Sequence, residues 1–330
     1  MNNILTNARV MVTGGAGMIG SHIVDELLKE DVKSVTVYDN FSVGTVYNLK
    51  HISDNRLIVI EDGGDLRNID TLENVVKKND YIFHLACMRI RQCHDYPISS
   101  WENNVNGTLN LLSTALRAGI KRIVYSSSAS VYGDSIDKGP MPEEHPFNND
   151  NIYGASKIAC EQLFRAYCKQ YGQDYVGLRY MNVYGPRQDY RGAYTTVIMK
   201  VLDRIDQGLS PIIYGNGSQS YDFILAEDVA RANILAIKHG STDNYYNIGT
   251  GIKTSIKELV EIIIDVVGTN LPIEFRDNAG ITWVSDRVGC TKKSYEQLGF
   301  KAKNSIKNGI QKLIKWRNNN KKLMTKIRSI

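Results

Sequence analysis

The chain has 330 residues, of which 42% are hydrophobic and 23% charged, and a formal net charge of +5. That is globular material, long enough for one large core or two coupled ones. Five cysteines (Cys87, Cys93, Cys160, Cys168, Cys290) make an odd count without C-x-x-C spacing. They argue against a disulfide framework and a metal site, and for a reducing, cytoplasmic setting. No run approaches the ~18 apolar residues of a membrane span. Met1-Asn2-Asn3-Ile4 lacks the basic and apolar regions of a leader. Basic residues gather near the end (Lys312, Lys315, Arg317, Lys321, Lys322, Lys326, Arg328), but no aromatics interleave with a basic face. They read as a solvated helix and not as a nucleic-acid surface. A modest positive balance suits an anionic substrate.

The first predicted strand, Arg9–Thr13, runs into Gly14-Gly15-Ala16-Gly17-Met18-Ile19-Gly20, and a helical pattern follows from Ser21 to Lys29. Gly14 allows a tight turn, Gly17 lets backbone approach a pyrophosphate at the helix N-terminus, and Gly20 allows close helix–strand packing. Strand, glycine loop and helix in that order mark a dinucleotide site, with Met18 and Ile19 in its wall. The second strand, Val35–Tyr38, ends in Asp39-Asn40, followed by Phe41, Ser42 and Gly44. A carboxylate at that point holds the adenosine ribose hydroxyls and repels a 2′-phosphate, so the cofactor is expected to be NAD and not NADP. A third strand, Leu57–Ile60, precedes Asp65 and Leu66, which are placed at the adenine. A fourth, Tyr81–Cys87, has small residues at its exit that leave room for a cofactor. His84 within it reads as a core residue or a backbone hydrogen-bonder. Pro97–Ala118 reads as one long helix, with Val105, Leu109, Leu112 and Leu116 on its buried side and Gly119 as its stop.

The fifth strand leads into Ser126-Ser127-Ser128, and a helix opens at Tyr153-Gly154-Ala155-Ser156-Lys157. Four residues apart on a helix, Tyr153 and Lys157 share one face. A phenol ionises near pH ~10, and a nearby ammonium favours its ionised form. With a serine hydroxyl beside them, these groups can take the proton of an alcohol whose carbon gives up a hydride. Ala159, Leu163 and Ala166 mark the expected buried face. A sixth strand, Val176–Arg179, completes an alternation of strand and helix that predicts a Rossmann-type, doubly wound parallel sheet. Past Tyr184-Gly185-Pro186 the rhythm changes to turn-rich pieces with helices near 196–207, 226–238, 255–267 and 305–318. The expected division is a dinucleotide-binding domain over 1–180, with 223–248 returning to it, and a smaller α/β substrate lobe over 181–330.

Taken together, the glycine loop, Tyr38-Asp39-Asn40, Gly64-Asp65-Leu66, His84-Leu85-Ala86, Asn103-Asn104-Val105-Asn106-Gly107-Thr108, the serine run, Tyr153-x-x-x-Lys157, Leu178-Arg179-Tyr180-Met181-Asn182, Tyr184-Gly185-Pro186-Arg187 and Gly215-Asn216-Gly217-Ser218-Gln219 resemble the extended short-chain dehydrogenase/reductase family, in its sugar-nucleotide epimerase/dehydratase branch. The resemblance implies Tyr153 as acid/base, Lys157 as the nicotinamide-ribose ligand that tunes it, and Ser128 as the residue orienting the sugar hydroxyl, with Ser126 a second candidate. It implies that Leu85, Ala86, Cys87, Arg89, Asn103 and Tyr180 line the cofactor. Asn182, Tyr214, Tyr221 and Arg287 fall to the substrate, a UDP-sugar. The implied reaction is 4-epimerisation through a transient 4-keto sugar, and the implied assembly is a homodimer formed by the Pro97–Ala118 and Tyr153–Tyr171 helices.

Three departures from the family pattern stand out. Tyr221 occupies the place of an arginine that grips the diphosphate in relatives, leaving Arg287 as the other cation. Ala129-Ser130 replace the Asp-Glu pair with which 4,6-dehydratases of this branch do their proton work. Arg89 and Arg91 follow the fourth strand and, with Arg187, could pair with a uronate carboxylate; diphosphate contact and plain surface are the other readings. A dehydratase of 5,6- or 4,6-type using the same Tyr153 and Lys157, with Cys87 or Cys93 assisting, is the alternative enzyme. A non-catalytic dinucleotide sensor is a remote one.

Overall fold

Order along the chain already shows how the layers form. The first half runs β1 (Arg9–Thr13), α1 (Met18–Lys29), β2 (Ser34–Tyr38), β3 (Leu57–Val59), α2 (Ile69–Val76), β4 (Tyr81–His84), α3 (Ile90–Asp95), α4 (Pro97–Trp101), α5 (Gly107–Ala118), β5 (Arg122–Ser128), α6 (Ile152–Tyr171) and β6 (Tyr175–Tyr180). The second half continues with β7 (Asn182–Tyr184), α7 (Val197–Asp206), β8 (Ile212–Tyr214), β9 (Ser220–Tyr221), β10 (Phe223–Leu225), α8 (Ala226–His239), β11 (Asn244–Ile248), β12 (Thr254–Ser255), α9 (Ile256–Val267), β13 (Glu274–Arg276), β14 (Asp286–Arg287), α10 (Lys292–Leu298) and α11 (Ile306–Asn319). This computed structural model describes residues 3–60, 63–189, 196–277 and 285–321. The basic residues Lys322, Lys326 and Arg328 noted above lie outside them.

Seven parallel strands make the central sheet in the order β11-β6-β5-β4-β1-β2-β3. The inner strands are buried on both faces, as the apolar runs of β1 and β4 require. On one face α1 and α8 pack together, Ile23, Val24 and Leu27 meeting the side of α8 that carries Val229, Ala230 and Ala236. On the other lie α2, α5 and α6, with Leu72, Leu111, Leu112 and Phe164 in their core. Both β11 and α8 come from the second half of the chain, yet β11 pairs with β6 in the central sheet. A third cluster, around Leu202, Leu259, Ile263 and Leu313, holds α7, α9 and α11, while α10 packs on α8 and β11 through Leu298.

Two expectations need correction. The segment Pro97–Ala118 is continuously helical, as expected, but not α-helical throughout: α4 runs to Trp101, a π-turn covers Glu102–Asn106, and α5 continues from Gly107. The extra residue in the turn shifts the buried stripe, so that Leu111, Leu112 and Ala115 face the core and Leu109 is exposed. The face of α6 also differs. Ala159, Leu163 and Ala166 are only partly buried, whereas Lys157, Cys160, Glu161 and Phe164 are fully so. The cause is an ion pair that an apolar pattern cannot reveal. Arg179 on β6 donates from Nε to Glu161 Oε1 at 2.9 Å and from Nη2 to Glu161 Oε2 at 2.7 Å. Ser127 Oγ donates to the same carboxylate at 2.6 Å, and Arg179 Nη1 donates to the Tyr132 hydroxyl and the Glu143 carbonyl.

With both partners so deep, removing one strands the other. Arg179→Leu is expected to cost about 3–5 kcal/mol of folding stability, read from urea unfolding. The double variant Arg179→Leu/Glu161→Leu should lose less than the sum of its singles. Strict additivity would show that the two side chains do not depend on each other.

Candidate active site

The loop between β1 and α1 forms the first part of the site. Gly14 sits at φ +68°, its N–H donates to the Tyr38 carbonyl at 2.9 Å, and a Cβ there would fall 2.9 Å from the Ala86 nitrogen. At Gly20 a Cβ would lie 2.2 Å from the Gly14 carbonyl oxygen. The turn is therefore closed to larger residues at both ends. Gly14, Gly17, Met18, Ile19 and Gly20 line a cavity at the N-terminus of α1. Asp39, at the exit of β2, accepts from the Ala16 N–H at 2.9 Å and from the Phe41 N–H at 2.8 Å. Burial pushes its carboxyl up, and these amides pull it back toward the charged form. Asn40, Ser42 and Gly44 line the cavity beside it, as do Leu66, Leu85, Ala86, Cys87, Arg89, Asn103, Ser126, Tyr153, Lys157 and Tyr180.

Two residues assigned to this cavity do not reach it. The Asp65 carboxylate is held by Arg67, which donates to both of its oxygens at 3.0 and 2.6 Å. Phe41 contributes its backbone N–H to Asp39 while its ring packs on the core.

Lys157, buried on α6, donates to the Ser126 carbonyl at 2.8 Å. Its ammonium lies 5.7 Å from the centre of the Tyr153 ring and 5.1 Å from that of Tyr125. Burial works against its charge, but Cys87 and Tyr153 beside it carry the Lys157 pKa above the ordinary lysine value. The Tyr153 phenol behaves differently from expectation. Burial raises its pKa and Cys87 adds to this, while Lys157 and the Ser128 hydroxyl pull the other way without prevailing. Lys157 by itself therefore does not ionise the phenol near neutrality. Ser126 and Ser128 divide their work. Ser126 Oγ is bonded to the Tyr180 hydroxyl at 2.8 Å, which Asn233 on α8 also holds. The Ser128 hydroxyl stays beside the Tyr153 phenol and accepts from the Ser130 N–H at 3.1 Å.

A second cavity opens on the other side of Tyr153. Ser128, Asn182, Tyr221, Arg287 and Arg89 line it. Arg287 stands opposite Tyr221 where β14 pairs with β9. It is buried, donates to the Gly133 carbonyl and the Ser130 hydroxyl at 3.3 Å each, and has no carboxylate partner among the described residues. Burial lowers its pKa, so an anion in this cavity would relieve it. Three residues placed here by the sequence are elsewhere. Arg187, at φ +65°, turns to Asp25 at 2.6 Å and His51 at 3.2 Å and lines only the first cavity. Arg91 lies on the surface of α3, 3.7 Å from Asp95. Tyr214 is half exposed and lines neither cavity. Arg89 is in both walls and is held by Asp189 at 2.8 Å.

Several wall residues had no sequence signal of their own. Gln188 and Thr196 line both cavities, and Asp189 the first. Asn104 hides beside the predicted Asn103. It accepts from the Met88 N–H at 2.7 Å and donates to the Met88 carbonyl at 3.1 Å and to Ser156 Oγ at 3.2 Å.

The first cavity fits a dinucleotide on two grounds. Its glycine turn leaves no room for side chains where a pyrophosphate would lie, and its buried carboxylate Asp39 is flanked by the uncharged Asn40, Ser42, Val43, Gly44 and Thr45. Among the described residues no helix is long and apolar enough to cross a membrane.

Comparison with known proteins agrees with this arrangement. Residues 10–249 match the model of the NAD dependent epimerase/dehydratase family. The UDP-N-acetylglucosamine 4-epimerase of Methanobrevibacter ruminantium, solved in complex with UDP-N-acetylmuramic acid, is 35% identical, with a TM-score of 0.89 over 96% of this chain and 99% of its own. The Thermus thermophilus UDP-glucose 4-epimerase in complex with NAD is 29% identical, with a TM-score of 0.82 over 94% of this chain and 99% of its own. A dTDP-glucose 4,6-dehydratase of Actinoplanes is 31% identical over 93% of this chain and 97% of its own length.

Two buried histidines make the site's surroundings acid-sensitive. Burial lowers His84 to about 3; burial, and then the Arg187 charge, lower His22 to about 4. The unfolded chain takes up protons near pH ~6.5 that the folded chain refuses, so their stabilisation is complete above that pH and is lost as pH falls. Each is expected to contribute a slope of up to about 1.4 kcal/mol per pH unit below ~6.5. Urea unfolding between pH 6.5 and 5 measures it, and His22→Gln should remove about half of the slope. A flat profile would mean that these imidazoles are not held neutral.

Proposed function

The chain belongs to the NAD dependent epimerase/dehydratase family, and from that premise we propose that it is a nucleotide-sugar 4-epimerase acting on a UDP-hexose, a UDP-hexuronate or a UDP-N-acetylhexosamine. The supporting observation is the position of Tyr153. It forms part of the wall of both cavities, with the glycine turn, Asp39 and Lys157 on one side and Ser128, Asn182 and Arg287 on the other. One phenol can therefore face a sugar hydroxyl and a nicotinamide ring together. Gly14, Gly17, Gly20, Asp39, Asn103 and Lys157 would hold NAD. Bound NAD supplies the hydride acceptor and, in its oxidised form, a second positive charge beside the phenol.

The chain's own groups then divide the task. Ser128 orients the C4 hydroxyl, and Tyr153 takes its proton and later returns it. Lys157 stabilises the charge that this leaves on the phenol. Arg287, without a carboxylate in contact among the described residues, holds the diphosphate together with Asn182, and Tyr221 packs where a second cation would stand. Met181, Val183, Val197, Ile198 and Phe223 give the second cavity an apolar stretch of wall beside its polar residues. Such a wall suits a keto sugar that must turn over between the two proton transfers. No Asp or Glu lines this cavity among the described residues. A 4,6-elimination would need one there, which places the dehydratase reading second. Cys93 is buried away from both cavities and Cys87 lies on the dinucleotide side.

The chain further is expected to work in the cytoplasm as a homodimer. Tyr96, just before α4, and Ile98, Trp101 and Leu109 on α4 and α5 leave apolar surface exposed; these helices and α6 are the ones expected to pair with their copies.

Incubation with UDP-sugars followed by proton NMR should show inversion at C4; an olefinic product would identify a dehydratase. Tyr153→Phe is expected to lower turnover by about 10²–10⁴-fold with NAD still bound. Loss of the dinucleotide instead would make the tyrosine structural. Arg287→Met should raise KM for the sugar nucleotide by about tenfold or more at unchanged NAD content. Tyr221→Arg should lower that KM, and no change in either variant would place the diphosphate elsewhere.

A further inference from the structure

His84 is the last residue of β4, fully buried, and sits between two threonine hydroxyls. Its Nδ1 lies 2.8 Å from Thr13 Oγ1 and its Nε2 lies 2.9 Å from Thr108 Oγ1. The neighbours settle which nitrogen carries the proton. Thr13 Oγ1 accepts from the Leu85 N–H at 3.1 Å and from the Ala86 N–H at 3.2 Å. The Leu85 N–H is shared with the Thr13 carbonyl at 3.1 Å; with both amides directed at Thr13 Oγ1, its own proton is left to point to His84 Nδ1. On the far side, Thr108 Oγ1 donates to the Asn104 carbonyl at 2.5 Å and is free to accept from His84 Nε2–H. Every donor and acceptor is satisfied by one arrangement, the neutral imidazole with its proton on Nε2. The Tyr125 and Phe164 rings, centred 5.7 and 6.4 Å away, fix the plane of the imidazole.

The two ends of this chain of bonds are two of the segments that wall the dinucleotide cavity. Thr13 holds the amides of Leu85 and Ala86, both of which line it. Thr108 holds the π-turn that carries Asn103, which also lines it, and Asn104, which clamps Met88. We propose that His84 is a positioning residue: locked in one tautomer between Thr13 and Thr108, it sets the separation of the β4 exit from the π-turn and so shapes the grip on the cofactor. The inference rests on the first cavity being the NAD site. His84 does not line that cavity and touches no reacting group; it acts through the two threonines.

The test uses near-isosteric pairs. Thr13→Val keeps the shape of threonine and leaves the Ala86 N–H without its partner. It is expected to weaken NAD binding, measured by fluorescence titration, by about tenfold or more, the size set by a buried N–H left unpaired. Thr13→Ser restores the hydroxyl and should bind within about threefold of wild type. Thr108→Val and Thr108→Ser should repeat the contrast. Nitrogen-15 NMR of the imidazole, which needs neither cofactor nor turnover, should report the Nε2–H tautomer between pH 6 and 8. NAD binding to Thr13→Val with wild-type affinity, equal losses in the serine and valine variants, or an Nδ1–H signal would each overturn the proposal. Failure of the wild-type protein to bind NAD would overturn the assignment of the cavity instead, and the NMR result would still stand on its own.

Discussion

A buried ammonium is the constraint from which the site is built. Taking a lysine out of water costs several kcal/mol unless its surroundings replace the lost solvation. Around Lys157 that replacement comes from the Ser126 carbonyl, the faces of Tyr125 and Tyr153, and the Cys87 thiol. These groups belong to β5, the loop after β4, and α6 itself, so the charge is accommodated only when strand and helix are docked in one register. Docking is enforced one turn further along α6, where Glu161 pairs with Arg179 of β6 and takes the hydroxyl of Ser127. The serine run is thus held at both of its polar faces, Ser127 from behind and Ser126 through Tyr180.

The second half of the chain completes the site from outside. Asn233 on α8 reaches Tyr180, and β11 pairs with β6, so elements late in the sequence brace the strand ends where the chemistry is placed. Arg287 arrives on β14, a strand of only two residues, and is turned inward by its pairing with β9. Arg187 runs the other way. It leaves the substrate side and ties the segment after β7 to Asp25 on α1, close to the glycine turn. Contacts across the cleft therefore join the walls of the two cavities, and Tyr153 stands in both.

Much of this was legible in the residues. Glycine spacing, the carboxylate after β2, the serine run and the Tyr153–Lys157 pair are local patterns, and each needs only a strand end or a helix face to be read correctly. The same local logic went astray where a side chain had a choice of partner. Asp65 turned to Arg67, two residues away, and does not line the first cavity; Arg187 and Arg91 found Asp25 and Asp95 and do not line the second. Within Pro97–Ala118 a π-turn carries Asn104, which bonds both the N–H and the carbonyl of Met88 in the loop after β4, a contact that helical periodicity does not contain.

By itself, the sequence determined the doubly wound sheet, the place of the dinucleotide turn and the identity of the phenol, ammonium and hydroxyl, because these follow from backbone rules and spacings of a few residues. Only the tertiary structure decided which cations line the second cavity, that burial outweighs Lys157 in setting the Tyr153 proton, and that His84 spans two threonines. The reason is physical: desolvation and charge pairing depend on which distant residues arrive at a given point in space, and no pattern along one strand or helix carries that information.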